Sequence, residues 1–214
     1  MSKNTLSKNT LEMRKRLTRE ESRAQTRARL ITTGREHFLR YGLGGAVAEA
    51  IAEGAGYSRG ALYSNFNGKE ELFLAVIHEE QARYFNIFRS ILTQEPSSRK
   101  RLRRMRDTFA DIITDPDWIV LHAEFETEAL RSERIRESYL QLQRQMMRDG
   151  QALVRDLMKS SEMTLRLRPA DFIMAMLVFS HGLAVNQRIL GIELPQKSTR
   201  ILIQSLFDHL ISVA

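Results

Sequence analysis

One stretch constrains this chain more than any other: residues 51–72, which read IAEGAGYSRGALYSNFNGKEEL. Val47 and Ile51 are one helical turn apart and are expected to share a buried face. Gly56 falls where the chain must reverse, and glycine takes a left-handed backbone there without a Cβ penalty. Ser58 is a good N-cap for the helix that follows. On that helix Leu62 and Phe66 lie four apart and point inward, which leaves Arg59, Gly60, Ala61, Tyr63, Ser64 and Asn65 for the outer surface and flanks. A further helix begins at Asn67-Gly68. The spacing predicts a helix-turn-helix whose outer face suits a DNA major groove. It offers one guanidinium for guanine, small residues that let the backbone approach, and hydroxyls for phosphates.

These residues strongly resemble the TetR/AcrR family of bacterial transcriptional regulators. The matches run in order through Leu30-Ile31, Gly34, Phe38 and Gly42, then Ile51-Ala52, Ala55-Gly56, Ser58-Arg59-Gly60-Ala61-Leu62-Tyr63, Phe66 and Lys69-Glu70-Glu71-Leu72. The resemblance covers about residues 27–77; beyond about residue 80 it is architectural only. It implies a basic arm (1–22), a helix-turn-helix DNA-binding domain (23–70) and a helical regulatory domain for ligand binding and dimerisation (71–214). One departure stands out. The family commonly carries threonine or serine where the second helix begins, whereas this chain reads Gly44-Gly45-Ala46-Val47-Ala48. A missing cap costs roughly 1 kcal/mol, and a phosphate anchor goes with it.

Apolar periodicity elsewhere is helical. The first helix is expected from about Ser22 to Tyr41, followed by short helices near 46–53 and 58–64. A fourth is expected to run to about Thr93, a fifth from Ser97 or Ser98 to Ile113, and a sixth from Asp117-Trp118 to about Leu130. The seventh spans about Ser132 to Lys159, the eighth runs from Arg168-Pro169 to Gly191, and the ninth follows Pro195 to near Val213. No strand alternation of any length is visible. The fold class is all-α, with about nine helices.

The chain has 214 residues, 43% of them hydrophobic, and no cysteine, which excludes disulfides and thiolate metal sites and fits a reducing cytoplasm. The longest apolar stretch, Phe172 to Val185, contains Ser180, His181 and Gly182 and is too short to span a bilayer. No signal-peptide core opens the chain, so a cytoplasmic protein without membrane contact is expected. Residues 1–29 hold nine Lys/Arg against three Glu, and Arg99 to Arg106 add six more basic residues. A basic tail beside a helix-turn-helix reads either as an electrostatic footprint for DNA or as a solvated leader. The 99–106 run reads as a solvated face.

Among the outer residues, Arg59 is the candidate base contact, since a bidentate guanidinium matches guanine's two major-groove acceptors; a phosphate contact is the alternative. Gly60 and Ala61 permit close approach. Tyr63 is expected to donate its hydroxyl to a phosphate, Ser64 and Asn65 to make short contacts, and Lys69 to hold a phosphate at a helix N-terminus. Tyr57 is open between phosphate contact and packing. No catalytic constellation, cofactor motif or metal-ligand spacing is present: His37, His78, His122, His181 and His209 lie on separate segments, and Glu124, Glu126 and Glu128 beside His122 do not converge two residues apart.

The resemblance implies an effector pocket in the regulatory domain. Phe109, Ile113, Trp118, His122, Phe125, Tyr139, Met146, Met147 and Phe179 are the candidate linings for a hydrophobic ligand. It also implies a homodimer through the last two helices, with Phe172, Met176, Leu183, Leu190, Leu202, Leu206 and Leu210 at the interface; burial within their own domain is the alternative. The expected partners are double-stranded DNA bearing an inverted repeat, a small-molecule effector and a second copy. A ligand-responsive repressor is the leading reading. A small-molecule-binding helical protein with weakened DNA binding, or a non-specific DNA binder or activator, are the rivals.

Overall fold

A computed structural model describes residues 18–159, 163–190 and 196–213. Within them run α1 (Arg19–Gly45), α2 (Ala48–Gly54), α3 (Arg59–Asn65), α4 (Lys69–Gln94), α5 (Ser98–Ile113), α6 (Pro116–Arg131), α7 (Glu133–Lys159), β1 (Met163–Leu165), α8 (Pro169–Leu190), α9 (Gln196–Leu210) and β2 (Ile211–Val213). The all-α class holds. The one addition is a three-residue antiparallel ribbon pairing Met163 with Val213 and Leu165 with Ile211, too short to leave an alternation in the sequence.

Helix α1 starts three residues before the expected Ser22 because a capping box forms there. The Glu21 N–H donates to Thr18 Oγ1 at 3.1 Å, and the Thr18 N–H donates to Glu21 Oε2 at 2.7 Å. It also runs four residues past Tyr41, through a kink at Gly42 (φ 69°, ψ 174°). That combination is open almost only to glycine. The kink turns Leu43 into the core, where it is 3% exposed. Val47 does not share the buried face of Ile51. It is the N-cap of α2 and 53% exposed, and Ala48, Ile51 and Ala52 are buried instead. The absent hydroxyl has the expected local result, since Val47 makes no side-chain cap bond.

Two buried clusters organise the chain. The first joins Leu30 and Phe38 of α1, Ile51, Leu62, Phe66, and Phe73 and Ile77 of α4 to Leu121 and Phe125 of α6 and Leu142 of α7. The second gathers Ile91, Met105, Ile113, Val154, Phe172, Met176, Ile203 and Phe207. Helix α4 contributes to both, and α6 lies in the same core as the helix-turn-helix. No helix among the described residues is long and apolar enough to cross a membrane.

The basic run 99–106 is only partly a solvated face. Arg101 is buried and donates from Nε and Nη2 to the Glu95 carbonyl at 2.9 and 2.8 Å, while Arg106 pairs with Asp107 and Asp208. Arg99, Lys100 and Arg103 remain exposed.

Candidate DNA interface and effector pocket

The helix-turn-helix is locally well specified. Gly56 at φ 80° closes α2 with the Tyr57 N–H donating to Ala52 O and the Gly56 N–H donating to Glu53 O, both at 2.9 Å. This is a Schellman termination, and it satisfies carbonyls a helix end leaves open. Ser58 then caps α3, accepting from the Ala61 N–H at 3.3 Å. Leu62 and Phe66 are buried at 0% and 2%, so α3 has only one face free.

On that face the side chain of Arg59 is 65% exposed, held at 2.8 Å by Glu49 of α2 and lying 5.4 Å from the Tyr63 ring centroid. Gly60 and Tyr63 are exposed, Ala61 half-buried, and Tyr57 half-buried against the core. Ser64 Oγ and Asn65 Nδ2 both donate to the Ala61 carbonyl at 2.8 Å, so both side chains fold back on their own helix. Lys69 donates from Nζ to the carbonyls of Gly44 (3.1 Å) and Ala46 (3.2 Å). It thereby ties the end of α1 and the entry to α2, where the side-chain cap is missing, to the start of α4. Two residues that composition had placed in the basic tail have structural partners: Arg27 donates to Asn65 O at 3.2 Å and stacks 4.2 Å from the Phe66 ring, and Arg23 donates to Ser64 O at 3.4 Å. Cations at the C-terminus of α3 complement its dipole. The rest of the arm, residues 1–17, lies outside the described residues.

Helix α6 is clamped onto α1 by carboxylates that composition did not single out. Arg35 of α1 bonds Glu80 of α4 and Asp117 of α6, each at 3.0 Å. The Leu43 N–H, just past the kink, donates to Glu124 at 2.5 Å. An aromatic chain runs alongside: Phe38 meets Phe73 at 4.6 Å between centroids, Phe73 meets Phe125 at 5.3 Å, and Phe125 meets Tyr139 at 5.3 Å.

The C-terminal half holds two adjoining cavities. The first, of about 140 Å³, is bounded by α4, α5, α7, α8 and α9, and its wall includes Phe88, Phe109, Met146, Phe172, Met176 and Phe207. A cavity of this size, apolar throughout, accommodates a benzene-sized group. The second, of about 510 Å³, lies between α6, α7 and α8 and carries the polar groups: His122, Glu126, Tyr139, Gln143, Ser180 and His181. Ile113, Met146 and Leu177 line both.

The sequence expectations for these linings are corrected in part. Phe109, Ile113, His122, Tyr139, Met146 and Met147 do line one cavity or the other. Phe125 does not: it is 0% exposed within the aromatic chain. Phe179 does not either: it is 38% exposed on α8. Conversely, Phe172 and Met176, expected at a dimer interface, are buried and line the apolar cavity. Leu183, Leu206 and Leu210 are partly buried against the C-terminal core, and Leu202 is exposed. Large apolar side chains left exposed on these helices are Met174, Val178, Phe179, Ile201 and Leu202. Helix α8 is apolar nearly all round, so its periodicity does not say which stripe faces in. The side chains of Trp118 and Leu190 lie outside the described residues.

Glu126 and His181 are paired at 3.0 Å, and Tyr139 donates its hydroxyl to the other Glu126 oxygen at 2.7 Å. Burial raises the Glu126 pKa, but the bonds from His181 and Tyr139 together outweigh it and hold the carboxyl below its ordinary value. The Glu126 bond raises His181 above the ordinary imidazole value, with burial opposing. Burial pushes His122 down to about 4, so it is neutral. Tyr139 is raised, by burial first and then by its bond to Glu126. His122 and Glu126 are i, i+4 on α6, a spacing that was legible. Their meeting with His181, two helices away, was not.

Comparison with known proteins fits this architecture. Residues 30–76 match the family described as bacterial regulatory proteins, tetR family. An HTH-type transcriptional activator, FasR, from Mycolicibacterium smegmatis is 35% identical over 98 residues, covering 46% of this chain and 43% of that protein. An HTH-type transcriptional repressor, AcnR, from Corynebacterium efficiens is 38% identical over 58 residues, 27% of this chain and 31% of that one. The matched stretches thus span less than half the length of either curated relative. A crystal structure of a TetR-family regulator from Mesorhizobium loti has the same fold over 91% of this chain and 97% of its own, with a TM-score of 0.71 and 17% identity.

Proposed function

We propose that this chain, whose residues 30–76 match the tetR family of bacterial regulatory proteins, acts as a dimeric, effector-responsive repressor of transcription. The observation that carries the reading is α3 itself. Its buried face is fixed by Leu62 and Phe66, its start by Ser58 and the Gly56 turn, and its free face presents Arg59, Gly60 and Tyr63. Such a helix enters a major groove with its N-terminal residues on base edges. Release of Arg59 from Glu49 frees the guanidinium for guanine.

A second copy docks on the exposed apolar side chains of α8 and α9, Met174, Val178, Phe179, Ile201 and Leu202. Burial of such a patch between copies is the usual reason for leaving it exposed. Two-fold symmetry then sets the recognition helices about 34–36 Å apart, as successive major grooves require. An effector in the α6–α7–α8 pocket acts through α6, which touches the pocket with His122 and Glu126 and grips α1 with Asp117 and Glu124. Displacement of α6 carries α1 and the recognition helices with it. Moving the population from 1:99 to 99:1 needs about 5.5 kcal/mol of differential effector affinity.

The test is selection of binding sites from a random DNA pool, followed by competition with unrelated DNA at physiological salt. An enriched inverted repeat that outcompetes unrelated DNA is the expected result. Equal competition by any duplex would leave only charge-driven binding.

A further inference from the structure

We infer that the pocket between α6, α7 and α8 is built for a cationic amphiphile: a protonated amine head against Glu126, with an apolar tail passing into the apolar cavity beyond Met146. As an effector site this rests on the repressor reading; as a binding site it rests on the lining chemistry alone.

Charge selects the head group. Among the described residues that line the two cavities there is one carboxylate and no lysine or arginine. An anionic head would enter facing Glu126, and the one basic side chain positioned to pair with it, His181, is already committed to that carboxylate at 3.0 Å. Both side chains are only partly buried, but an anion set beside a carboxylate without a cation of its own is still unfavourable. An ammonium takes the place of the His181 ring at Glu126, so the carboxylate keeps a hydrogen-bonding partner throughout. Tyr139 continues to donate to the other carboxylate oxygen and holds it in place.

A second, independent feature points to a ligand whose head forms hydrogen bonds. Ser180 lines the pocket, is 0% exposed, and its Oγ has no hydrogen-bond partner. Buried hydroxyls are nearly always satisfied, and an ammonium N–H supplies what this oxygen lacks.

The shared wall selects the tail. Met146 is unbranched, with three rotatable bonds, so a rotamer change opens one cavity into the other. The polar pocket of about 510 Å³ is of ordinary ligand size, and the smaller one of about 140 Å³, apolar in its lining, takes an apolar group. Head and tail are thus assigned to separate compartments.

The experiment uses the full chain and three probes with one tail and different heads: octylammonium, octanol and octanoate, titrated by calorimetry near neutral pH. Octylammonium should bind at least ten-fold more tightly than octanoate, with octanol between. Glu126→Gln should abolish that order while leaving the helical circular dichroism intact. His181→Gln, which removes the competing ring, should tighten octylammonium several-fold. Octanoate binding tightest, an unchanged order in Glu126→Gln, or no binding by any probe to the folded protein would each overturn the inference. DNA release is followed separately. Octylammonium binding without release would support the pocket chemistry and refute the effector reading.

Discussion

Gly42 is the position where a single methyl group should do the most damage, because backbone and neighbour both resist it. Its φ of 69° with ψ of 174° lies in a region essentially restricted to glycine, and forcing a side chain there costs about 1–3 kcal/mol. A Cβ added at Gly42 would also sit 2.5 Å from Glu124 Oε1. The carboxylate must then withdraw from the Leu43 N–H, and hydrogen bonds to charged groups contribute about 1.5–3 kcal/mol. Gly42→Ala should therefore destabilise by about 2.5–6 kcal/mol. At about 2–4 °C per kcal/mol for a chain of this size, the melting temperature falls by roughly 5–24 °C. The two contributions separate in a double-mutant cycle. Glu124→Ala alone loses the hydrogen bond; combined with Gly42→Ala it leaves only the backbone strain to add. The double variant should thus be more stable than the sum of the singles predicts, by about 1.5–3 kcal/mol. Thermal and urea unfolding of the four proteins measure this. A Gly42→Ala variant within about 0.5 kcal/mol of the parent, or strict additivity, would refute the claim that the α1 kink and α6 are locked together.

Arg59→Ala should weaken operator binding by about 1–3 kcal/mol and relax preference at one base pair per half-site; uniform weakening on all sequences, read by fluorescence anisotropy, would reassign Arg59 to phosphate. Leu202→Asp and Val178→Asp should give folded monomers by sedimentation, whereas Phe172→Asp, in the apolar cavity wall, should unfold the chain; a wild-type monomer at micromolar concentration would contradict the dimer face. Burial keeps His122 neutral down to about pH 4, facing Glu126 and His181, while in the unfolded chain it protonates near the ordinary imidazole value of 6.5. The unfolded state then binds more protons between those values, so stability should fall by up to about 3 kcal/mol as pH drops from 6.5 to 4. His122→Phe should flatten that loss in urea titrations, and an equally steep loss in the variant would show that other groups carry it.

Local signals accounted for most of the helix-turn-helix. Gly56 and Ser58 act through neighbours within five residues, and the i, i+4 spacing of Leu62 and Phe66 sets the buried face of α3; each stands where its chemistry placed it. The start of α1 was equally local, since Thr18 and Glu21 have capping-box spacing, but the basic run around them drew attention to charge instead. The one-turn spacing of Val47 and Ile51 does not put them on one buried face, because that spacing holds only inside a helix and Val47 is its cap. What depended on distant partners was not legible. Lys69 is drawn to carbonyls 23 and 25 residues away, Asp117 to an arginine 82 residues away, and His181 to a carboxylate on another helix. On α8, where nearly every side chain is apolar, Phe172 and Met176 exchanged places with Phe179 because packing alone decides which stripe is covered.

The most direct measurement is footprinting of the selected DNA with and without a bound effector. A two-fold regulator predicts two protected half-sites with centres one duplex turn apart, protected together at one protein concentration and lost together as the effector saturates. Protection of a single half-site, or protection spread evenly along any duplex, would contradict it.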